Sequence, residues 1–171
     1  MNIIFWIIIF VLGIAVIYDI RFGRIPNWLT FPAMAVAIVC HVGIAGVPGL
    51  LSSTAGLLIG FSIFLVLYLL GGMGAGDVKL MAAVGAFLGP RDVLLAAVFT
   101  AIAGGIYAIM LLAIQKGNRK ALIRFGAMAK GLLLTGHFVQ IPATGNEKTT
   151  PLRYGVAIGV GTLAVLAQRI I

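Results

Sequence analysis

Asp19 and Asp77 are the residues of this chain whose type and position are best suited to chemistry. The sequence holds only four acidic residues, and the other two, Asp92 and Glu147, lie beside basic residues in predicted loops, where solvated charges are common. Two carboxylates that share one proton can divide the work of peptide hydrolysis. One accepts a proton from water, while the other, protonated, polarises the carbonyl group. The pair therefore indicates acid–base chemistry of the aspartic protease kind, if the fold brings the two side chains together.

The elements that must position the two acids are predicted to be membrane-spanning helices. Of the 171 residues, 62% are hydrophobic and 9% are charged, whereas a soluble domain is about 25% charged. At about 20 apolar residues per span, the chain has no room for a large soluble domain. We predict one all-α, polytopic membrane domain over residues 1–171, with about six transmembrane helices. The predicted spans are 2–18, 28–45, 50–70, 72–89, 93–115 and 154–170, with a basic loop at 116–153.

The basic residues determine the predicted orientation in the membrane. Ten of the twelve Lys and Arg residues fall on the side of the 116–153 loop, which the positive-inside rule assigns to the cytoplasm. Both termini of the chain are then on the outer side of the inner (cytoplasmic) membrane. Residues 121–139 carry Arg124, Lys130 and His137 within apolar sequence, so we expect an interfacial helix rather than a seventh span. The net charge of +8 is explained by this topology, and nucleic acid is not expected as a partner.

The predicted topology places Asp19 and Asp77 at the same face of the membrane. Two spans separate them, so the chain leaves that face after Asp19 and returns to it before Asp77. A span of about 20 residues that ends at Pro90 would begin near Gly71, which places Asp77 within the bilayer boundary. The glycine-rich segment 71–76 is a poor helix former, and irregular backbone at membrane depth is tolerated where it lines water. We therefore expect both carboxylates to face one wet cavity.

Each acid also has an explanation that involves no chemistry. Asp19 could be a charge at the membrane surface that Arg21 or Arg24 neutralises. Asp77 could be a helix-start cap that pairs locally with Lys79. These alternatives stay open at the level of the sequence.

The two acids stand in motifs that resemble those of the type IV prepilin peptidase family, which are membrane aspartic proteases of the GxGD type. The first motif is Tyr18-Asp19 followed by residues 25–27 (IPN), and the second is residues 74–80 (GAGDVKL). A lone GxGD motif is weak, because small residues at this spacing also pack helices, as we expect for Gly56/Gly60 and Gly85/Gly89. The two motifs in this order, with two spans between them, carry the resemblance.

The resemblance implies that Asp19 and Asp77 are the catalytic pair and that Gly74, Gly76, Pro26 and Asn27 shape the site. The implied substrate is a pilin-like precursor, as in type IV pilus assembly, cut after its short positive leader at the cytoplasmic face. The chain lacks the cysteine-rich insertion of the larger members, which also methylate the new N-terminus. It resembles the short, peptidase-only members, including those of Flp-type, tight-adherence systems. Where the family often has Pro before an aromatic–Gly pair, residues 151–155 read PLRYG.

Lys79, the cysteine and the two histidines are the other residues whose side chains could take part in a site. Lys79 lies two residues after Asp77 and so points away from it on a helix, toward substrate, lipid phosphate or the rim of the cavity. The single cysteine, Cys40, and the two histidines, His41 and His137, form no metal-ligand pattern. No metal or other cofactor is predicted. The sequence does not indicate an oligomeric state.

Two other functions compete with a peptidase. A small proton-coupled transporter could use the same two aspartates as a relay, although such a relay needs a site reachable from both faces. A membrane scaffold explains the glycine packing but not two acids at one depth. A presenilin-like protease shares the Tyr-Asp and GxGD motifs, but the chain is short for one and contains no Pro-Ala-Leu motif.

Overall fold

A computed structural model of the chain describes residues 3–70, 73–114 and 153–168, and the elements in these ranges are all α-helices. The predicted all-α class is therefore confirmed for the described residues. Residues 105–114 belong to a second compact unit, and the account below concerns the first, residues 3–70, 73–104 and 153–168. In chain order the helices are α1 (Ile3–Phe22), α2 (Asn27–Leu69), α3 (Ala75–Leu88), α4 (Pro90–Ile114) and α5 (Tyr154–Gln168).

The helices α1, α2 and α4 are long and apolar enough to cross a membrane. The 43 residues of α2 measure about 64 Å at 1.5 Å per residue, twice the hydrocarbon thickness of about 30 Å. This helix is interrupted at Gly46, whose φ of 60° and ψ of −135° are not helical. The interruption agrees with the predicted division into 28–45 and 50–70. By contrast, α3 and α5 have only 14 and 15 residues, and the number of about six spans stays a prediction.

The chain reverses direction at Gly46. A β-carbon on Gly49 would overlap the carbonyl oxygen of His41, although eight residues of an unbroken helix extend about 12 Å. We call residues 27–45 the first arm of α2 and residues 47–69 its second arm. The two arms form a helical hairpin.

The centre of the bundle is α3, of which Asp77, Val78 and all residues from Leu80 to Leu88 are buried. The second arm of α2 packs against it through the predicted glycine pairs. A β-carbon on Gly56 would overlap the carbonyl oxygen of Gly85, and one on Gly85 would overlap that of Gly56. A β-carbon on Gly60 would come within 2.5 Å of the carbonyl oxygen of Met81. The predicted packing of helices through these glycines is confirmed.

The same contacts give the helix directions. Moving along the second arm from Gly56 to Gly60 corresponds to moving back along α3 from Gly85 to Met81, so the two run antiparallel. In the same way, Gly155 and Gly159 of α5 approach Asp19 and Val16 of α1, which makes that pair antiparallel. The end of α1 and the start of α5 therefore lie together.

The helices and the predicted spans do not share all of their bounds. The helix α1 continues one turn past Tyr18, so Asp19 lies on a helix rather than in the loop that follows it. Within the predicted span 72–89 the helix runs from Ala75 to Leu88, as expected from the poor helix-forming tendency of the glycine-rich residues before it. Apart from Arg153, the predicted loop 116–153, with its interfacial helix at 121–139, lies outside the described residues.

The start of α4 was also predicted too late. We placed Pro90, Arg91 and Asp92 in a loop before a span at 93–115, but they form the first turn of the helix. Proline is well suited to the first helical position, where its missing N–H group has no partner to lose. Gly89, with a φ of 82°, makes the connection from α3 in a single residue.

Candidate active site

Asp19 and Asp77 come together at one end of the bundle. Asp19 lies on the last turn of α1 and Asp77 on the first turn of α3. The two residues are 4% and 7% exposed, and their carboxylates are close enough for their charges to interact. The structure thus brings together the two acids that the sequence singled out. Burial of two neighbouring carboxylates is costly, so the contacts that satisfy each one decide what the site can do.

A tight turn follows Asp19. Gly23 adopts a φ of 62°, and its N–H donates to the carbonyl oxygen of Asp19 at 2.9 Å, which is a common way for glycine to end a helix. Pro26 has an extended backbone, with φ −75° and ψ 143°, immediately before α2. Its carbonyl oxygen accepts from the N–H groups of Leu29 and Thr30. Pro26 therefore lies in the turn that leads from α1 into α2, and its carbonyl group takes part in the first turn of α2.

The first turn of α3 holds the side chain of Asp77. Its Oδ2 atom accepts a hydrogen bond of 3.0 Å from the N–H of Gly74, just before the helix. This is a helix-start cap, so that part of the alternative explanation for Asp77 is correct. A cap does not prevent chemistry, because the carboxylate has a second oxygen atom.

Gly76 permits α3 to approach the turn after α1. A β-carbon on Gly76 would lie 3.1 Å from the Cβ atom and 3.2 Å from the backbone nitrogen of Ile25. Ile25 is itself buried. The glycine between Gly74 and Asp77 in the motif thus lets the start of α3 lie directly against the segment that precedes α2.

Lys79 is directed toward α2. Its Nζ atom donates to Oδ1 of Asn27 at 2.9 Å and lies 5.4 Å from the centroid of the Phe31 ring. The local pairing of Asp77 with Lys79 that the sequence left open is therefore not the contact that the structure gives to this amine. Through this hydrogen bond Asn27 joins α2 to α3, and its role in shaping the site stays a prediction.

Asp19 is held by the start of α5. Its Oδ2 atom accepts a hydrogen bond of 2.9 Å from the N–H of Gly155, and the N–H of the next residue, Val156, also interacts favourably with the carboxylate. Arg153 donates to the carbonyl oxygen of Ile20, and its charge interacts with that of Asp19. The cation that the described contacts give to Asp19 is therefore Arg153, not Arg21 or Arg24 as the alternative explanation supposed.

The sequence did not identify Arg153, Tyr154 and Gly155 as residues of the site. Tyr154 is half-buried and lies within electrostatic reach of Asp77, and it precedes the glycine that binds Asp19. The aromatic–Gly pair at the start of the last span was the available signal. Pro151, which shares that segment, lies outside the described residues.

The arrangement suits the activation of water. Two carboxylates from different helices are close enough for their charges to interact, and each is oriented by a backbone N–H group through its Oδ2 atom. Residues 3–70, 73–114 and 153–168 contain no group of three or more His, Cys, Asp or Glu residues that could hold a metal ion. The expectation that the site uses no metal stays a prediction.

Comparison with known proteins gives one match. The family model described as the type IV leader peptidase family matches residues 6–109, more than half of the chain. The matched residues include both acids, both glycines of the GxGD motif and Lys79. They end before α5. Searches of the curated proteins and of the solved structures returned no significant match.

Proposed function

The chain belongs to the type IV leader peptidase family, and we propose that it is an aspartic endopeptidase that removes the leader from pilin-like precursors. The observation that carries the proposal is the pairing of Asp19 with Asp77, which are buried at one end of the bundle and close enough for their charges to interact. Within a family of peptidases, such a pair is the natural candidate for the catalytic centre.

The proposed mechanism uses one proton between the two carboxylates. The ionised carboxylate takes a proton from water as the water oxygen bonds to the carbonyl carbon of the scissile peptide. The protonated one donates a hydrogen bond to the carbonyl oxygen and stabilises the charge that develops there. Collapse of the tetrahedral intermediate breaks the C–N bond, and the leaving amine takes up the proton first removed from water. The two acids then hold one proton again.

The proposed location follows from the helices and the charge pattern. With three helices long and apolar enough to cross a membrane and a leader peptidase family match, the protein is a membrane protein. We place the acid pair toward the cytoplasm, because ten of the twelve Lys and Arg residues fall on that side of the predicted topology. A precursor whose positive leader stays in the cytoplasm would present its cleavage site at the same level.

The proposed activity is limited to proteolysis. The sequence has one cysteine and thus no cysteine-rich insertion like that of the members that methylate the new N-terminus. The proton-coupled transporter that the sequence left open gains no support from a match to a family of peptidases.

The proposal is tested with Asp19→Asn and Asp77→Asn. The protein is purified, reconstituted in liposomes with a pilin-like precursor, and cleavage is measured by gel mobility and N-terminal sequencing. Each substitution removes one half of the acid–base pair, so we expect a rate decrease of about 10²- to 10⁴-fold or more. Asparagine keeps an oxygen that can accept from Gly155 or Gly74, so the folded protein should persist.

Asp92→Asn provides a matched control. Asp92 is an acid in the first turn of α4, close in sequence to the opposite end of α3, and we expect this variant to cleave at the wild-type rate. Continued cleavage by both Asp19→Asn and Asp77→Asn at normal protein levels would disprove the proposal. Equal loss of activity in all three variants would attribute the effect to folding.

A further inference from the structure

The start of α5 lacks a cap of its own. Helices usually begin after Ser, Thr, Asp or Asn, whose side chain accepts from the first free N–H groups. Here the residue before Tyr154 is Arg153, and Leu152 and Pro151 precede it. An acceptor must therefore come from elsewhere in the fold.

Asp19 supplies that acceptor from α1. Its carboxylate accepts from the N–H of Gly155 at 2.9 Å and interacts with the N–H of Val156, and these are the second and third residues of α5. These are the positions that a cap normally serves. Hydrogen bonds from N–H groups to a carboxylate are stronger than those between neutral groups.

Arg153, just before α5, makes a second contact between the two helices, and here the donor belongs to the α5 side and the acceptor to α1. Its guanidinium donates to the carbonyl oxygen of Ile20, one of the last carbonyls of α1, which lacks a helical partner at the end of the helix. The end of α1 thus provides an acid to the start of α5, and the start of α5 provides a cation to the end of α1.

Gly155 is required for this approach. A β-carbon there would lie 2.7 Å from Oδ2, 2.9 Å from Cβ and 3.0 Å from Cγ of Asp19. The side chain of Asp19 is itself buried and has little room to move aside. Any larger residue must displace either the carboxylate or the helix.

We propose that the first turn of α5 is a third component of the peptidase site, with Gly155 as the positioning residue that orients Asp19 toward Asp77. The inference rests on the proposed function, and it goes beyond the family match, which ends at residue 109. Arg153 supports it by fixing α5 to α1. Tyr154, on the same turn, is within electrostatic reach of Asp77, so consecutive residues of α5 interact with both halves of the pair.

The test compares Gly155→Ala with Gly159→Ala. Both substitutions crowd the contact of α5 with α1, but a β-carbon on Gly159 would meet only Cγ2 of Val16, at 2.9 Å. Displacement of a catalytic group by about 1 Å costs up to about 100-fold, so we expect Gly155→Ala to lower kcat about 10- to 100-fold while KM changes by less than about twofold. Gly159→Ala should keep kcat within about threefold of the wild type.

Arg153 gives a second pair of variants if Gly155→Ala does not fold. We expect Arg153→Gln to lower kcat about 3- to 10-fold, because its contact with the Ile20 carbonyl is weakened, and Arg153→Lys to restore most of it. Equal decreases for Gly155→Ala and Gly159→Ala, or a normal kcat for both Gly155→Ala and Arg153→Gln, would overturn the inference.

A readout without substrate separates this inference from the proposed function. Dicyclohexylcarbodiimide, an apolar reagent for carboxyl groups, is applied to the reconstituted protein, and labelling of Asp19 and Asp77 is followed by peptide mass spectrometry. In Gly155→Ala the carboxylate of Asp19 should lose its hydrogen bond from the N–H of residue 155, so we expect Asp19 to be labelled faster. The labelling rate of Asp77 should not change, and Gly159→Ala should be labelled like the wild type. If the wild type does not cleave the precursor but this pattern appears, the proposed function fails and the positioning role stands. If Asp19 labels at the same rate in both glycine variants, the positioning role fails.

Discussion

The two ends of α3 are held in different ways. At its start, Asp77 and Lys79 make single polar contacts, to the N–H of Gly74 and the side chain of Asn27. At its other end, backbone touches backbone, because Gly56 and Gly85 leave no side chain between the helices. Only about 20 Å of helix separates the two ends. The difference indicates that the fold depends mainly on one end of α3 and the proposed chemistry on the other, so substitutions at the two ends should have separable effects.

At the second end of α3, side chains of α2 also contact the free carbonyl groups of the helix. The carbonyl oxygen of Ala86 would accept from residue 90 in a continuing helix, but Pro90 has no N–H. Ser53 on the second arm of α2 donates to it instead, at 2.9 Å. The next carbonyl, that of Phe87, lies 3.0 Å from Nε2 of His41 on the first arm. Each arm of α2 thus provides one side chain, His41 from the first arm and Ser53 from the second, that hydrogen-bonds to a carbonyl group at the end of α3.

The largest effect on stability is expected for Gly56→Ala. Its β-carbon would overlap the carbonyl oxygen of Gly85 and lie 2.8 Å from the Cα atom of Gly89, so the helices must separate. We expect the free energy of unfolding to fall by about 3 kcal/mol, measured by denaturant titration in detergent micelles. The fraction that remains folded should cleave at the wild-type rate, since the acid pair is at the other end.

Gly43→Ala is the control for this prediction, because a β-carbon on Gly43 has no neighbour within 4 Å. Its stability should match that of the wild type or exceed it slightly. A Gly56→Ala protein that is as stable as the wild type, or one whose folded fraction is inactive, would break the division between the two ends.

A smaller effect is expected for Ser53→Ala. Ser53 is fully buried, and its removal leaves the Ala86 carbonyl without the donor that replaces the missing N–H of Pro90. We expect a loss of about 1 to 2 kcal/mol in the free energy of unfolding, as for other buried acceptors left unsatisfied, and an unchanged kcat. Thr54→Ala is the neighbouring control, because its hydroxyl bonds to Leu50 and Leu51 within its own helix. A loss of about 0.5 kcal/mol or less is expected for it, and equal losses for both variants would refute the capping role of Ser53.

A structural feature can be predicted from the sequence when the residues that determine it are close together in the chain. The break of α2 at Gly46 and the use of Gly56/Gly60 and Gly85/Gly89 in helix packing follow from glycine and proline patterns within single segments, although the contact of Gly56 with Gly85 itself does not. The meeting of Asp19 and Asp77 follows from the order of spans, because an even number of crossings returns the chain to one face. The start of α4 at Pro90 was available from the preference of proline for the first helical turn, but the charges beside it favoured a loop.

The capping of α5 by Asp19 could not be predicted in this way. The two bonded residues are 136 positions apart, and no local pattern links an acid on one helix to a glycine on another. The sequence shows only that α5 lacks a cap of its own, not which residue supplies it. The start of α3 after Met73 and Gly74 is, by contrast, a local feature, because the glycine-rich sequence before it is a poor helix former.

The smallest effect is expected for Lys79→Met, and it decides whether the amine belongs to the fold or to the site. Lys79 bridges α3 to α2 through Asn27 and Phe31, while Asp77 is oriented independently by Gly74. An exposed hydrogen bond and a cation–π contact are each worth about 1 kcal/mol or less, so we expect Lys79→Met to lower stability by about 1 kcal/mol. Cleavage should stay within about threefold of the wild type, because a change below about 0.6 kcal/mol in the barrier alters a rate by less than that factor.

Lys79→Arg, which keeps the charge over Phe31, is the control for this prediction and should resemble the wild type in stability. Measuring cleavage in liposomes with and without anionic lipid separates the other roles that the sequence suggested for Lys79. A decrease in cleavage for Lys79→Met that appears only with anionic lipid would show that the amine contacts lipid phosphate. A decrease well beyond threefold in both kinds of liposome, with normal stability, would place Lys79 against the substrate. In that case the first turn of α3 would contribute a cation as well as an acid to the site, and the contrast between its two ends would be stronger than the contacts with Asn27 and Phe31 alone imply.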